Sequence, residues 1–317
     1  AVIREIRKTA LSTGIRRPAR LWLPPLPRVL IAARDSVCEG QGYAFPLGLM
    51  DIPEEQRMLP CEHDFLRDGN FAVFGAGGMG KSSLLQTAAL SLARRYACDK
   101  LYFYLLDFGA GALSPLRELP HAADYLSFDE EDKLKKLMRL LRAELLHRKR
   151  ILAARQTDFL ALSTAGKEAL PAIVLLIDHY DAVKELGQEA DNFFLQLARD
   201  GAAVGIFLAL SASRPGALRY ALLNHIKDRL ALWLSEPAEL AGAVGRTSRK
   251  LPEIRGRALI QRAGVHLMQC YRISALEGSA YQEALASEVA LCAAACRGRR
   301  PAALPRMPEF LSAAELA

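Results

Sequence analysis

The chain has 317 residues, 51% hydrophobic and 24% charged, a globular composition that excludes disorder and suits one large α/β domain with extensions, or two small domains. Its net charge of +7 gathers at the ends, in Arg4, Arg7, Lys8, Arg16, Arg17 and Arg20 and again in Arg297, Arg299, Arg300 and Arg306; such tails can meet nucleic acid or anionic lipid, but solvated termini explain them better, so charge selects no partner. No run approaches the ~20 continuous apolar residues of a membrane-spanning helix, no signal-peptide pattern opens the chain, and Ala1 in place of Met suits a fragment or a processed chain.

Residues 1–60 read as irregular and proline-rich (Pro18, Pro24, Pro25, Pro27, Pro46, Pro53, Pro60), with Arg28–Ala33 as a short strand against a core. From residue 70 strands and helices alternate. Phe71–Phe74 is an apolar strand that ends in a glycine loop, and Lys81–Tyr96 is a helix. Leu101–Leu106 is a strand closed by Asp107. Ser127 and Glu130 have the spacing of a capping box before a long helix, whose Leu134, Leu137, Met138, Leu141, Leu145 and Leu152 share one face. Ile173–Ile177 is uninterruptedly apolar, as a parallel strand covered on both faces requires. A helix over Asn192–Ala203 precedes a strand at Ile206–Leu210. Leu230–Leu234 and Arg257–Ile260 are later strands, Val265–Tyr271 an edge strand, and Tyr281–Cys296 an alanine-rich closing helix. This alternation predicts an α/β fold with a mostly parallel, doubly wound sheet.

The segment Gly75-Ala76-Gly77-Gly78-Met79-Gly80-Lys81-Ser82 matches the phosphate-loop pattern G-x-x-x-x-G-K-[ST] in full, between a predicted strand and a predicted helix. Its glycines let several N–H groups converge on an anion, and the helix adds its positive end. Lys81 is expected to reach the β- and γ-phosphates of ATP, Ser82 to ligate Mg²⁺, and Ser83 to line the same site. The second half of such a site is an acid ending a buried strand, and Ile173–Asp178 supplies it: Asp178 is the expected second Mg²⁺ contact, through water.

Other chemistries fare poorly. Cys38, Cys61, Cys98, Cys270, Cys292 and Cys296 form no CxxC pair, which argues against zinc and against a disulfide framework, and fits a reducing setting. The six histidines (His63, His121, His147, His179, His225, His266) show no ligand spacing. Ser211 and Ser213 have no nearby base in sequence and read as serines of a sensor loop.

These motifs resemble the FtsK/SpoIIIE family of RecA-like P-loop NTPases and, within it, the ATPase domains of the type VII secretion motor EssC/EccC. The resemblance rests on Trp22–Leu26, Pro46–Pro53, Tyr104–Gly109, Leu175–Asp181, Ala212–Pro215, Val244–Thr247 and Gly256–Ile260, about residues 20–275, and is nearest to the last tandem domain. It implies a membrane-anchored parent chain with this piece at the cytoplasmic face of the membrane. The implied partners are the tandem ATPase domains of that chain, small helical-hairpin secreted proteins, and further copies through the parent chain. With the pass along the chain, the expected division is an extension over 1–60 that packs on the core as small strands, a RecA-like core over 61–275, and a C-terminal helix and tail over 276–317.

Three positions depart from the family's active members. The glutamate that polarises the attacking water after the Walker-B Asp is replaced by His179; a positioned base contributes roughly 10²–10⁴ in rate. The arginine-finger place holds Ala202, with Arg199 one turn earlier, and the sensor place holds Ser213 where the DNA motors have Gln. Binding residues are intact while hydrolytic ones are altered. The expected function is therefore an ATP-binding secretion-motor domain with weak or no hydrolysis, ATP acting as a structural or regulatory ligand, and with Val244–Ile260 as the candidate region for engaging exported protein. The alternative is an active hexameric FtsK-like DNA translocase.

Overall fold

The computed structural model describes residues 2–14, 23–34, 38, 42–163, 169–296 and 298–304. Arg16, Arg17, Pro18, Arg20, Trp22, Arg297 and Arg306 lie outside them. The helices and strands run α1 (Val2–Ser12), β1 (Leu30–Ile31), β2 (Ala44–Ile52), β3 (Arg57–Asp64), α2 (Phe65–Asp68), β4 (Phe71–Phe74) and α3 (Lys81–Arg95). They continue with β5 (Leu101–Asp107), β6 (Ala122–Ser127), α4 (Glu131–Arg155), α5 (Phe159–Ser163), β7 (Ala172–Asp178), α6 (Gln188–Asp200) and β8 (Ile206–Ala212). The last are α7 (Tyr220–Leu223), β9 (Asp228–Leu232), α8 (Leu240–Val244), β10 (Arg257–Gln261), β11 (Val265–Arg272) and α9 (Gly278–Ala295).

One mixed sheet carries them in the order β3-β2-β11-β10-β9-β4-β8-β7-β5-β6, with β1 pairing β11. From β9 to β6 every pairing is parallel; from β9 to β3 every pairing is antiparallel. Alternation along the parallel strands explains their unbroken apolar runs. In β7, Ala172, Val174 and Leu176 face a core built with α3 and α9, while Ile173, Leu175 and Ile177 face another built with α4 and α6. A substitution on either face therefore meets packed side chains.

Several expectations change. Val265–Tyr271 is an interior strand, not an edge: β11 sits between β10 and β2, with β1 alongside. Its half-buried pattern looked like an edge because the hairpin that covers it, β2–β3, comes from the other end of the sequence. The first sixty residues are less irregular than their prolines suggest, since they hold α1 and most of that long hairpin, and β3 crosses residues 60–61. The helix expected at Asn192–Ala203 starts earlier, after Gly187, with Glu189 and Asp191 in its positive first turn. It ends at Gly201, where a Cβ would lie 2.5 Å from the carbonyl oxygens of both Leu197 and Ile206. Only half of the capping box forms: the Glu130 carboxylate accepts the Ser127 N–H at 2.9 Å, and Glu130 takes the N-cap position of α4 without a side-chain cap bond.

Two buried polar groups fix how these layers meet. Asn70, just before β4, donates to the carbonyls of Ala198 and His225 and accepts the Leu208 N–H. Arg148 of α4 is 1% exposed; it pairs with Glu144 at 2.7 Å and donates to the Val204 carbonyl at 3.0 Å. A third, Asp228 at the start of β9, receives His63 of β3 at 2.6 Å and both Arg262 Nη atoms, tying the antiparallel wing to the parallel core.

Candidate phosphate-binding site

β4 enters the sheet between β8 and β9, fully buried, and the chain reverses direction across the sheet there: β5 follows on one side and β9 on the other. Such a switch point opens a crevice at the strands' C-terminal ends. The loop after β4 is held on both flanks. The Gly75 N–H donates to the Ala212 carbonyl at 3.2 Å and the Ala76 N–H to the Trp233 carbonyl at 2.8 Å. Gly75 must lack a side chain, since a Cβ would lie 2.7 Å from Leu232 Cβ. Gly78 (φ 76°) and Gly80 (φ 108°) take the left-handed backbone that turns the loop into α3. From across the sheet the Gly256 N–H donates to the Met79 carbonyl at 2.9 Å.

Lys81 opens α3 and folds back over the loop, donating through Nζ to the carbonyls of Gly75 at 2.7 Å and Ala76 at 3.0 Å. Burial pushes its ammonium pKa down, against the pull of Asp178 and Asp181. Ser82, next on the helix, donates through Oγ to Asp178 Oδ2 at 2.7 Å. Ser83 faces a cavity of about 320 Å³ that also takes in Gly78, Gly80, Gln86, Arg255 and Tyr281.

Asp178, 4% exposed, ends β7, one strand removed from β4. Its other oxygen, Oδ1, accepts from Ser211 Oγ at 2.5 Å, and Ser211 Oγ in turn accepts the His179 N–H at 3.0 Å. Both Asp178 oxygens thus point at hydroxyls, one from the phosphate loop's helix and one from β8. On the neighbouring strand, at the same level, Asp107 accepts the N–H groups of Leu113, Gly109 and Gly111; burial pushes its carboxyl pKa up despite them.

The altered positions are equally defined. His179 has a left-handed backbone (φ 60°) and a half-exposed side chain, with Nδ1 3.9 Å from Asp181 Oδ2. Ser213 donates to Asp181 through both its N–H, at 2.9 Å, and its hydroxyl. Asp181, Ser213, Lys184 and Glu236 line a cavity of about 410 Å³ that reaches Ala76 and Gly77. Ala202 lies in the short turn after α6, and exposed Arg199 pairs with its neighbour Asp200 at 2.8 Å.

The structure brings Gly75–Ser83, Asp178, His179 and Ser213 to one end of the sheet. It adds residues to which the sequence assigned no partner there. Ser211 holds Asp178, Asp181 holds Ser213, and Gln86 links α3 to α9 by accepting the Tyr281 hydroxyl at 2.8 Å. Only Ser211 and Asp181 left a trace, as neighbours of the strand-end motifs; the Gln86–Tyr281 bond joins positions 195 residues apart.

A glycine loop ending one parallel strand and opening a helix, with the acid of a second parallel strand against the helix's serine, defines a P-loop NTPase of the RecA-like kind. The FtsK/SpoIIIE family model matches residues 44–275, and the chain belongs to that family. It is 36% identical over 271 residues to the ESX secretion system protein EccC of Geobacillus thermodenitrificans, covering 85% of this chain and 18% of that protein. To YukB of Bacillus subtilis it is 34% identical, covering 100% and 21%. It thus spans about a fifth of the length of these relatives. Among solved structures it is similar to EssC (ATPases 2 and 3) from Geobacillus thermodenitrificans, with TM-score 0.85 and 33% identity over 92% of this chain and 56% of that one. It is also similar to Thermomonospora curvata EccC (ATPases 2 and 3) in complex with a signal sequence peptide, with TM-score 0.78 and 26% identity over 93% and 55%. Among the described residues no helix is long and apolar enough to cross a membrane.

Proposed function

We propose that this chain is an ATP-binding domain of a type VII secretion motor, most like the last of its tandem ATPase domains, and that ATP serves it mainly as a structural or regulatory ligand with weak or no hydrolysis. The observation that carries this reading is an asymmetry. Ser82 and Asp178 already meet at 2.7 Å, whereas the position after Asp178 carries His179 on a left-handed backbone, its side chain half in solvent.

In this reading the N–H groups at the start of α3 and the Lys81 ammonium hold the phosphates, and the nucleoside lies toward the cavity beside Ser83 and Arg255. The hydroxyl of Ser82 and the carboxylate of Asp178 are hard oxygen donors of the kind Mg²⁺ prefers, and the ion would neutralise charge on the β- and γ-oxygens. Ser211 keeps Asp178 aimed at Ser82. Ser213, clamped by Asp181, stands on the side of the loop where the γ-phosphate would project.

The parent chain would be membrane-anchored with this domain on the cytoplasmic side, working beside its tandem ATPase domains in a homo-oligomer. The exported partners are small helical-hairpin proteins. Val244–Ile260 is the candidate region for engaging them: its first half is largely exposed, and the Gly256 N–H at its end binds the phosphate loop at Met79, so nucleotide and partner would act on one segment. Replacing this loop and titrating a substrate peptide checks that assignment; unchanged affinity rejects it.

The primary test is calorimetry with Mg·ATP and phosphate release on the same sample. Tight binding with turnover near background is expected. Turnover of ~1–100 s⁻¹, the range of efficient phosphoryl-transfer enzymes, would reject the reading, and stimulation by DNA would move it to a DNA translocase.

A further inference from the structure

Helices α3 and α9 run side by side in the same direction and are joined at three levels. Nearest the phosphate loop, the Tyr281 hydroxyl meets Gln86. Midway, Arg94 Nη2 donates to Glu288 Oε2 at 2.6 Å. At the far end Cys296, the residue that closes α9, brings its thiol into hydrogen-bonding contact with that of Cys98, in the turn between α3 and β5. Gly298 reports the same approach independently: a Cβ there would lie 2.8 Å from Asp99 Oδ1. Cys98 is buried at 2% exposure, whereas Cys296 is half-buried and lines an open cleft of about 440 Å³ with Arg94, Arg95 and Glu288.

We propose that Cys98 and Cys296 form a reversible disulfide when the protein meets a two-electron oxidant such as hydrogen peroxide. Peroxide reaches Cys296 through the cleft. The Cys296 thiolate attacks one peroxide oxygen, the O–O bond breaks, and the departing hydroxide takes up a proton as water, leaving a sulfenic acid on Cys296. Cys98 then loses its proton and attacks that sulfur, and the displaced hydroxide leaves as a second water. Two thiols and one peroxide become one disulfide and two waters. Burial and the neighbouring Cys296 push the Cys98 thiol pKa up, so it stays protonated until an electrophilic sulfur stands beside it. The bond would extend the α3–α9 seam to its last turn and close a long loop, which narrows the unfolded ensemble. Formation on demand is the usual place of a disulfide in a reducing compartment.

The experiment is peroxide treatment of the purified protein, blocking of remaining thiols with N-ethylmaleimide, and peptide mapping without reductant. Expected is a linked pair of peptides carrying residues 98 and 296, two hydrogens lighter than their sum and separated by dithiothreitol. The unfolding midpoint of the oxidised protein rises by several degrees. Cys296→Ser, at a half-exposed site, loses both effects, as does Cys98→Ser. Alkylation of both cysteines after peroxide, over-oxidation of Cys296 with Cys98 still free, or linkage of Cys296 to Cys292 would each overturn the proposal.

Discussion

The ammonium of Lys81 donates to the carbonyl oxygen of Gly75, six residues earlier, at 2.7 Å. In the proposed function this ammonium exchanges the carbonyls of Gly75 and Ala76 for phosphate oxygens. Lys81→Ala should lower affinity for a non-hydrolysed ATP analogue by about 10–100-fold, the loss of one charge-assisted hydrogen-bonding group. Lys81→Arg should recover little, because a planar guanidinium does not replace a compact ammonium. Calorimetry reads both; wild-type affinity in the alanine variant would remove Lys81 from the binding machinery.

If His179 occupies the place of a lost base, His179→Glu should raise phosphate release by about 10²-fold or more, within the ~10²–10⁴ that a positioned base contributes. The graft has a backbone cost. His is among the few non-glycine residues enriched in left-handed conformations, so glutamate at φ 60° should lower the unfolding midpoint by a few degrees. A stable variant with unchanged turnover would show that the missing glutamate is not what limits the rate.

Ser211→Ala deletes the donor to Asp178 Oδ1 and the acceptor of the His179 N–H at a position with 0% exposure. Leaving such groups unpaired should cost about 1–3 kcal/mol in stability, read by denaturant unfolding. Nucleotide affinity should fall mainly in the presence of Mg²⁺, because Asp178 loses its orientation; equal losses with and without Mg²⁺ would contradict that role.

Asp228 sets an acid limit on the antiparallel wing. Burial alone would raise its carboxyl pKa, but the hydrogen bonds and charges of His63 and Arg262 hold it down to about 2, against 3.8 for the free group. The folded state therefore binds fewer protons than the unfolded state between these values, so stability falls as pH drops from about 4 to 2 and is fully present above that window. The contribution is on the order of 2 kcal/mol. In Asp228→Asn this part of the acid dependence should disappear while the protein is weaker at neutral pH; an unchanged acid slope would assign the sensitivity elsewhere.

What could be read in advance follows from distance along the chain. Gly75–Ser82 is contiguous and sits between two elements with clear periods, so sequence alone names it, and the buried run Ile173–Asp178 announces its own terminal acid. Ser211 and Asp181 act through the register of β8 beside β7, which a linear reading does not contain. The interior place of β11 depends on β2, whose residues precede it by more than two hundred positions. The contact of α9 with α3 is hidden for the same reason, and the prolines that follow α1 mask it by dominating the composition of its segment.

The hydrogen bond from Gly256 to Met79 joins the two halves of the sheet at their most consequential point. With Gly75 held by the end of β8 and Ala76 by the residue after β9, it braces the loop's backbone at three points, which limits the chain entropy the loop can lose on binding an anion. A loop so braced transmits as well as it receives. A pull on the strand leading from Gly256, applied by whatever docks against the exposed stretch before it, would be felt as a change in how long the bound phosphate stays.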